Sequence, residues 1–370
     1  MKPFFSLVIP CCDVEPYIRE CLASVTKQSF QDWECLIGLE PSKDKTEEVI
    51  SGLIAGDGRF RVFRGPRSGS CSASRNTGID MARGEYVIFL DGDDTIEDEC
   101  LARIAEKINA RPGADLYPCA IIACDENSGE REYRDNYTDA SPVEMNGTEA
   151  TLELDRLWGG CFCPMLQLTV FRREFLIEND LKCIYGLRRQ DSEFSPRALY
   201  RAKRVVPLHE PYYLYRIRSN SVSTASKDPG HFLKDWAVIT RSLLEFYAKV
   251  SSEPGFDTRL APYWVKQWLT RMYDMWFRPA RVDSISRERR VETLQQMFPD
   301  GFDNFNSLLK YANFPKRFLG MVLRIFVRHP FWRWTAENIF RVYYALCEFR
   351  KPQNTGFRTN IGPDGNRNRC

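Results

Sequence analysis

The apolar run Tyr86-Val87-Ile88-Phe89-Leu90 stops abruptly in Asp91-Gly92-Asp93-Asp94, which crowds three carboxylates around one glycine. Like charges this close repel unless a cation or hydrogen-bond donors neutralise them. A hard divalent ion does so, and Mg²⁺ or Mn²⁺ commonly takes one or two carboxylates together with substrate phosphates. The same residues equally describe a solvated turn with Asp94 as a helix cap. Upstream, Ser68-Gly69-Ser70-Cys71-Ser72-Ala73-Ser74 sets small and hydroxyl side chains before Arg75 and Asn76, at the opening of a helix. Small residues let the backbone approach a ligand, and a guanidinium pairs with phosphate or steadies a carboxylate. Alone this is also a capped surface helix; beside the acids it favours a bound nucleoside diphosphate.

Such side chains need a scaffold. Phe5 to Ile9, Trp33 to Leu39, Phe60 to Arg64 and Glu85 to Leu90 read as buried strands, alternating with helical patterns over Tyr17 to Thr26, Glu47 to Ile54 and Ser72 to Ala82. Strand, helix, strand repeated three times predicts a doubly wound α/β sheet, whose ligands bind beyond the carboxyl ends of the strands. The acids after Leu90 lie at such an end. A helix over Leu101 to Ile108 and a strand over Asp115 to Cys124 follow, then the polar stretch Asp125 to Gly147, read as a loop or hairpin insertion. Strands over Leu166 to Phe171, Val205 to Leu208 and Tyr212 to Ile217 close the unit, with helices over Arg173 to Asn179 and Ser192 to Ala202. Past Ser226 the chain turns to helical segments rich in aromatics and arginine, and Lys227-Asp228-Pro229-Gly230 marks the boundary. The expected organisation is an α/β domain over 1–225, a helical region over 226–350 and a disordered tail over 351–370.

Several ordered motifs now agree. Ser6-Leu7-Val8-Ile9-Pro10, Tyr17-Ile18, Cys21-Leu22-Ala23-Ser24-Val25, Gln28-Ser29-Phe30, Ser72 to Gly78 and Arg83-Gly84-Glu85-Tyr86 running into the acid cluster resemble the family 2 inverting nucleotide-sugar glycosyltransferases. The resemblance covers about residues 4 to 224, more loosely after position 100. It implies a GT-A-type mixed sheet, a D-x-D motif holding Mn²⁺ or Mg²⁺ and a sugar nucleotide, with a UDP-sugar favoured, and a later carboxylate as general base. Carried over by position, Asp91 and Asp93 would be the metal ligands, Asp93 the principal one, and Asp94 a weaker candidate. Pro10, Asp13, Glu40, Ser72, Arg75, Asn76, Asp91 and Gly92 would line the nucleotide pocket. Leu187-Arg188-Arg189-Gln190-Asp191-Ser192-Glu193-Phe194 fits the family's later motif and assigns the base to Asp191, with Glu193 next in line; the alternative is that Asp191 only caps a helix. Arg216 and Arg218 could grip a diphosphate or an anionic acceptor, and His209 could complete a metal shell.

Two positions depart from the family pattern. Leu39-Glu40-Pro41-Ser42 keeps one acid where two are usual, and Gln190-Asp191 keeps the presumed base without its acidic neighbour. They support a rival reading, a catalytically silent module that binds sugar nucleotide or glycan. A nucleotidyltransferase is a further rival, but Pro10-Cys11-Cys12-Asp13 is no glycine-rich, lysine-bearing phosphate loop.

Composition excludes other classes. Lys and Arg number 52 against 50 acids, so no chain-wide cationic field for nucleic acid exists. The 13 cysteines are diluted along the chain and sit in apolar runs, which reads as reduced cytosolic thiols; neither Cys11-Cys12 nor Cys161-Phe162-Cys163 has zinc-site spacing. The amino-terminal apolar run is too short for a secretion signal. The best candidate span, Phe318 to Val327, falls well short of the roughly 20 residues a bilayer needs and contains Arg324. Between Lys310 and Lys351, nine Lys and Arg face two acids among many aromatics. Such a segment can lie on an anionic membrane and bring the domain to a lipid-linked acceptor, or it can pack against the α/β domain. The whole predicts a cytoplasmic enzyme, peripheral on the inner membrane face, that builds surface polysaccharide or glycolipid from a sugar nucleotide.

Overall fold

The computed structural model describes residues 2–158, 165–218, 229–277, 285–298, 303–310, 314–349 and 359–360. Contacts divide the chain into two units, residues 1–150, 163–221 and 357–370 forming one, residues 151–162 and 222–356 the other. Cys161 and Cys163 and most of the tail after residue 350 lie outside the described residues.

In the first unit, β1 (Phe5–Cys11) is buried at all seven positions. An uninterrupted apolar strand is what a parallel sheet covered on both faces demands. Next come α1 (Glu15–Thr26), β2 (Trp33–Leu39), α2 (Thr46–Leu53), β3 (Phe60–Arg64), α3 (Ser72–Met81) and β4 (Tyr86–Phe89). Helix α1 buries Ile18, Cys21, Leu22 and Val25, one stripe at helical spacing, with Pro16 tolerated in its first turn. The chain continues through β5 (Thr95–Ile96), α4 (Cys100–Ala110), β6 (Leu116–Pro118), β7 (Ala120–Asp125), β8 (Arg131–Arg134), α5 (Gly147–Trp158), which belongs to the second unit from Thr151 on, β9 (Thr169–Arg172), α6 (Arg173–Glu178), α7 (Asp191–Arg201) and β10 (Pro211–Ile217).

Among the described residues one sheet has the order β3-β2-β1-β4-β9-β6. Its first four strands are parallel, while β9 runs antiparallel to both β4 and β6, so the doubly wound sheet is mixed as expected. A second sheet was not anticipated: β8-β7-β10-β5, extended at the β8 edge by β11 (Thr359–Asn360). The single strand expected over Asp115 to Cys124 breaks in two because Pro118 has no N–H to continue a ladder. At the break the Cys119 amide donates to Leu168 O, just before β9 of the first sheet (2.7 Å), and the Ala120 amide to Glu210 O, just before β10 of the second (2.8 Å), so the chain changes sheets there. The polar stretch after Asp125 folds β8 back on β7. The strand expected over Val205 to Leu208 survives only as isolated bridges from Val205 to Leu116 and Met145. Helix α5 was also missed, although Asn146 and Glu149 form a reciprocal cap, each side chain accepting the other's backbone N–H at 2.9 and 3.0 Å.

The second unit carries α8 (Pro229–Val250), α9 (Leu260–Met272), a π-turn (Tyr273–Phe277), α10 (Arg287–Gln295), α11 (Asp303–Leu309), α12 (Phe314–Arg328) and α13 (Arg333–Phe349). Aromatic pairs form its core: Tyr247 stacks on Trp264 at 4.1 Å, Trp268 meets Phe305 at 4.2 Å and Phe277 stacks on Phe340 at 4.6 Å. Among the described residues no helix is long and apolar enough to cross a membrane.

Glycine lets α3 sit directly on the sheet. A Cβ on Gly78 would stand 2.3 Å from Val8 Cγ1, inside van der Waals contact. Gly78→Ala should therefore push α3 off β1 and cost about 1–3 kcal/mol of stability, read from the urea midpoint. An unchanged midpoint would show that α3 does not depend on this close approach.

Candidate active site

The three acids that end β4 face three different partners. Asp91 receives Arg75 Nη2 on Oδ1 (2.6 Å) and Gln167 Nε2 on Oδ2 (2.7 Å). Asp93 accepts Arg218 Nη2 on Oδ2 at 2.5 Å, its side chain is 27% exposed, and Oδ1 takes no hydrogen bond from the described residues. Asp94 is buried and accepts the Tyr213 hydroxyl (2.6 Å) and the Arg216 amide (2.8 Å). Burial, then the neighbouring charges of Asp93 and Asp91, push the Asp94 carboxyl well above the usual carboxylate range. Tyr213 accepts the Asp91 amide at 3.2 Å as it donates to Asp94, so one residue of β10 organises the strand end.

Arg75 lies on α3 and is itself buried. Burial opposes its charge most strongly, but Asp91 together with Cys71 and Cys183 more than offsets that penalty and raises its pKa. Its second donor, Nη1, reaches Gln190 Oε1 at 3.2 Å. Gln190 immediately precedes α7, which opens at Asp191. The guanidinium thus ties the end of β4 to the start of α7 and brings Asp91 and the Asp191 backbone to one corner. Asp191 is partly exposed, and its Oδ1 accepts the Ser192 amide at 2.9 Å. Glu193, the second candidate base, is 1% exposed and holds Arg197 through both oxygens at 2.7 Å. A carboxylate so enclosed and paired is out of reach of an acceptor hydroxyl.

The other pocket candidates mainly shape loops. Asp13 has a positive φ of 53° and accepts the Lys43 amide at 2.6 Å. That bond, then Arg67, holds its carboxyl below the usual range. Glu40 is buried and accepts both the amide (2.9 Å) and the hydroxyl (2.6 Å) of Ser68, fixing the loop before α3. Ser72 accepts the Gly186 amide at 2.9 Å. Asn76 exchanges two 2.8 Å hydrogen bonds with the Cys183 backbone. Gly92 packs where a Cβ would meet Pro10 O at 3.2 Å, which seats the acid turn against the end of β1. His209 pairs through Nδ1 with Asp135 at 2.7 Å. Gln167 and Tyr213 were not foreseen: Gln167 carried no local pattern, and Tyr213 lay hidden in an ordinary alternating strand.

Among the described residues no three His, Cys, Asp or Glu side chains gather into a metal cage. With both Asp91 oxygens engaged, the protein's fit to a divalent ion rests on the half-open Asp93 carboxylate. That donor set suits Mg²⁺ or Mn²⁺, which bind through one or two carboxylates plus substrate phosphates.

The nine described cysteines from Cys11 to Cys183 are free thiols. Burial foremost pushes Cys71 and Cys183 up to about 12, with Asp91 adding to the effect at Cys71. Both stay neutral near pH 7, and a neutral thiol is a poor nucleophile. Iodoacetamide at mildly alkaline pH should label these two at least tenfold more slowly in the native chain than in urea, as mapped by peptide mass spectrometry; equal rates would contradict the assignment.

Comparison with known proteins agrees with this architecture. Residues 6–179 match the family model described as Glycosyl transferase family 2. "Uncharacterized glycosyltransferase EpsJ" of Bacillus subtilis (strain 168) is 30% identical over 230 residues, 62% of this chain and 65% of that protein. The match thus spans just under two thirds of that relative's length. "Glycosyltransferase GlyG" of Streptococcus pneumoniae is 24% identical over 257 residues, 68% of this chain and 81% of that one. The crystal structure of S. aureus TarS 1-349 in complex with UDP-GlcNAc aligns with a TM-score of 0.67 at 20% identity, covering 98% of this chain and 95% of that one. At this identity the likeness is one of fold, and it bears out the GT-A-type α/β fold with a helical extension. Over residues 6–179 the chain is thus similar to glycosyl transferase family 2.

Proposed function

We propose that this chain is a metal-dependent, inverting glycosyltransferase that moves a hexose from a nucleoside-diphosphate donor, a UDP-sugar by preference, to a hydroxyl of a glycan or lipid-linked acceptor in surface polysaccharide synthesis. The observation that carries the reading is the Arg75 bridge, which joins Asp91 to Gln190 and so sets the D-x-D acids and the start of α7 in one corner. The sugar-nucleotide donor is further supported by the UDP-GlcNAc complex of the TarS structure.

In this reading Pro10, Asp13, Glu40, Ser72, Arg75, Asn76 and Gly92 shape the nucleotide side, several of them by fixing the loops around it. Asp93, with Asp91 beside it, would hold Mn²⁺ or Mg²⁺, which when bound supplies positive charge to the departing diphosphate. Arg218, already on Asp93, adds a second cation there. The acceptor hydroxyl must lose its proton as the new bond forms, and Asp191 at the start of α7 accepts it. Attack opposite the leaving group inverts the anomeric centre without a covalent enzyme intermediate. The basic, aromatic helices of the second unit bring the enzyme to the inner face of an anionic membrane, where lipid-linked acceptors reside.

Asp191→Asn should keep donor binding and lower transfer by about 10²–10⁴-fold, the usual range for a positioned base. Binding is read by thermal stabilisation with UDP and Mn²⁺, transfer by release of UDP in the presence of acceptor. Transfer at the wild-type rate would remove Asp191 from the mechanism.

A further inference from the structure

Helices α12 and α13 present side chains that their own core does not use. Helix α12 contains no acid and carries Lys316, Arg317, Arg324 and Arg328. Its apolar residues split between two faces: Leu319, Val322, Leu323, Phe326 and Val327 are buried, whereas Phe318 is 38% and Met321 50% exposed. In the turn Pro330–Trp332 that follows, Phe331 is 86% and Trp332 54% exposed, and at the start of α13 Trp334 is 66% exposed. Three large aromatics within four residues in water are unusual for a soluble surface. Tryptophan in particular favours the boundary between water and lipid.

The charges around this tip are predominantly positive. Arg328 is exposed and Arg324 half-exposed on α12, while the intervening turn has no acid. Trp334 also walls a cavity of about 180 Å³ shared with Arg287, Arg290 and Arg341. These three guanidiniums converge on one carboxylate, Glu337, at 3.0, 3.0 and 2.8 Å, which leaves the group strongly positive. Arg290 is buried, and its Nε has no acceptor among the described residues. On the neighbouring side of α13, an apolar groove of about 330 Å³ runs between Val322, Ile325, Trp332, Ala336 and Ile339.

We propose that the α12–α13 corner docks on an anionic lipid bilayer, with Phe331, Trp332 and Trp334 entering the headgroup boundary and the surrounding arginines facing lipid phosphates. The inference rests on the membrane placement in the proposed function and deepens it by naming the contact. Charge complementarity selects this occupant: a rim in which arginines outnumber the single acid, Glu337, around an aromatic tip fits an anionic interface, and a second copy of the same cationic face would repel it.

The test is sedimentation of the full chain with vesicles of phosphatidylglycerol and phosphatidylcholine in equal parts, and with phosphatidylcholine alone. The mixed vesicles should bind the chain at least tenfold better, and less as salt rises. Each arginine near the surface contributes roughly fivefold in partition, so Arg324→Ser with Arg328→Ser should lower binding more than tenfold. Phe331→Ser with Trp334→Ser should do the same, and both variants should keep the wild-type melting temperature. Equal binding to the two vesicle types overturns the proposal, as does unchanged partition of both variants. So does a wild-type dimer that the aromatic variant converts to monomer, or stabilisation by inorganic phosphate without vesicle binding. Donor hydrolysis with Mn²⁺, measured alongside, reports on the catalytic reading separately, and either result can fail without the other.

Discussion

Three carboxylates on four consecutive residues at the end of a buried strand repel one another, and nearly everything around them relieves that repulsion. Asp91 is paired with a buried guanidinium and an amide. Asp94 is withdrawn from water, shifted toward its neutral form and held by Tyr213. Only Asp93 keeps an oxygen unclaimed by the described residues, at a partly exposed position. The negative charge left for a ligand is thereby concentrated on one side chain.

Each relief imposes a demand on the scaffold. Arg75 can reach Asp91 only if α3 lies close on β1, which Gly78 permits. Tyr213 can reach Asp94 only if β10 runs past the end of β4, and the second sheet fixes it there through parallel pairing with β7 and antiparallel pairing with β5. Gln190 accepts from Arg75 without adding a charge of its own. An acid at that position would share the guanidinium with Asp91, whereas the amide leaves Arg75 committed to the β4 acid.

Much of the first sheet was legible because its strands are continuous apolar runs and its helices keep one buried stripe, as with Ile18, Cys21, Leu22 and Val25. The second sheet was not, because β7 and β10 pair in parallel across some ninety residues and β5 is two residues long; no local periodicity encodes such partners. The acid cluster announced itself by composition, yet its division into paired, buried and open members depends on Gln167 and Tyr213, which come from distant segments. Asn76 and Glu40 show the same limit: their polarity suggested ligand contact, while their hydrogen bonds to Cys183 and Ser68 give each a loop to hold. Helix α5 is the opposite case, since the Asn146 and Glu149 capping pair stood in the sequence and signalled its start.

The central claim is that Asp93 is the carboxylate through which a divalent ion meets the donor diphosphate. Calorimetric titration of UDP with and without Mn²⁺ tests it most directly, on the wild-type chain and on Asp93→Asn. The account predicts that Mn²⁺ tightens UDP binding at least tenfold in the wild type and has little effect in the variant. An equal Mn²⁺ enhancement in both would contradict it.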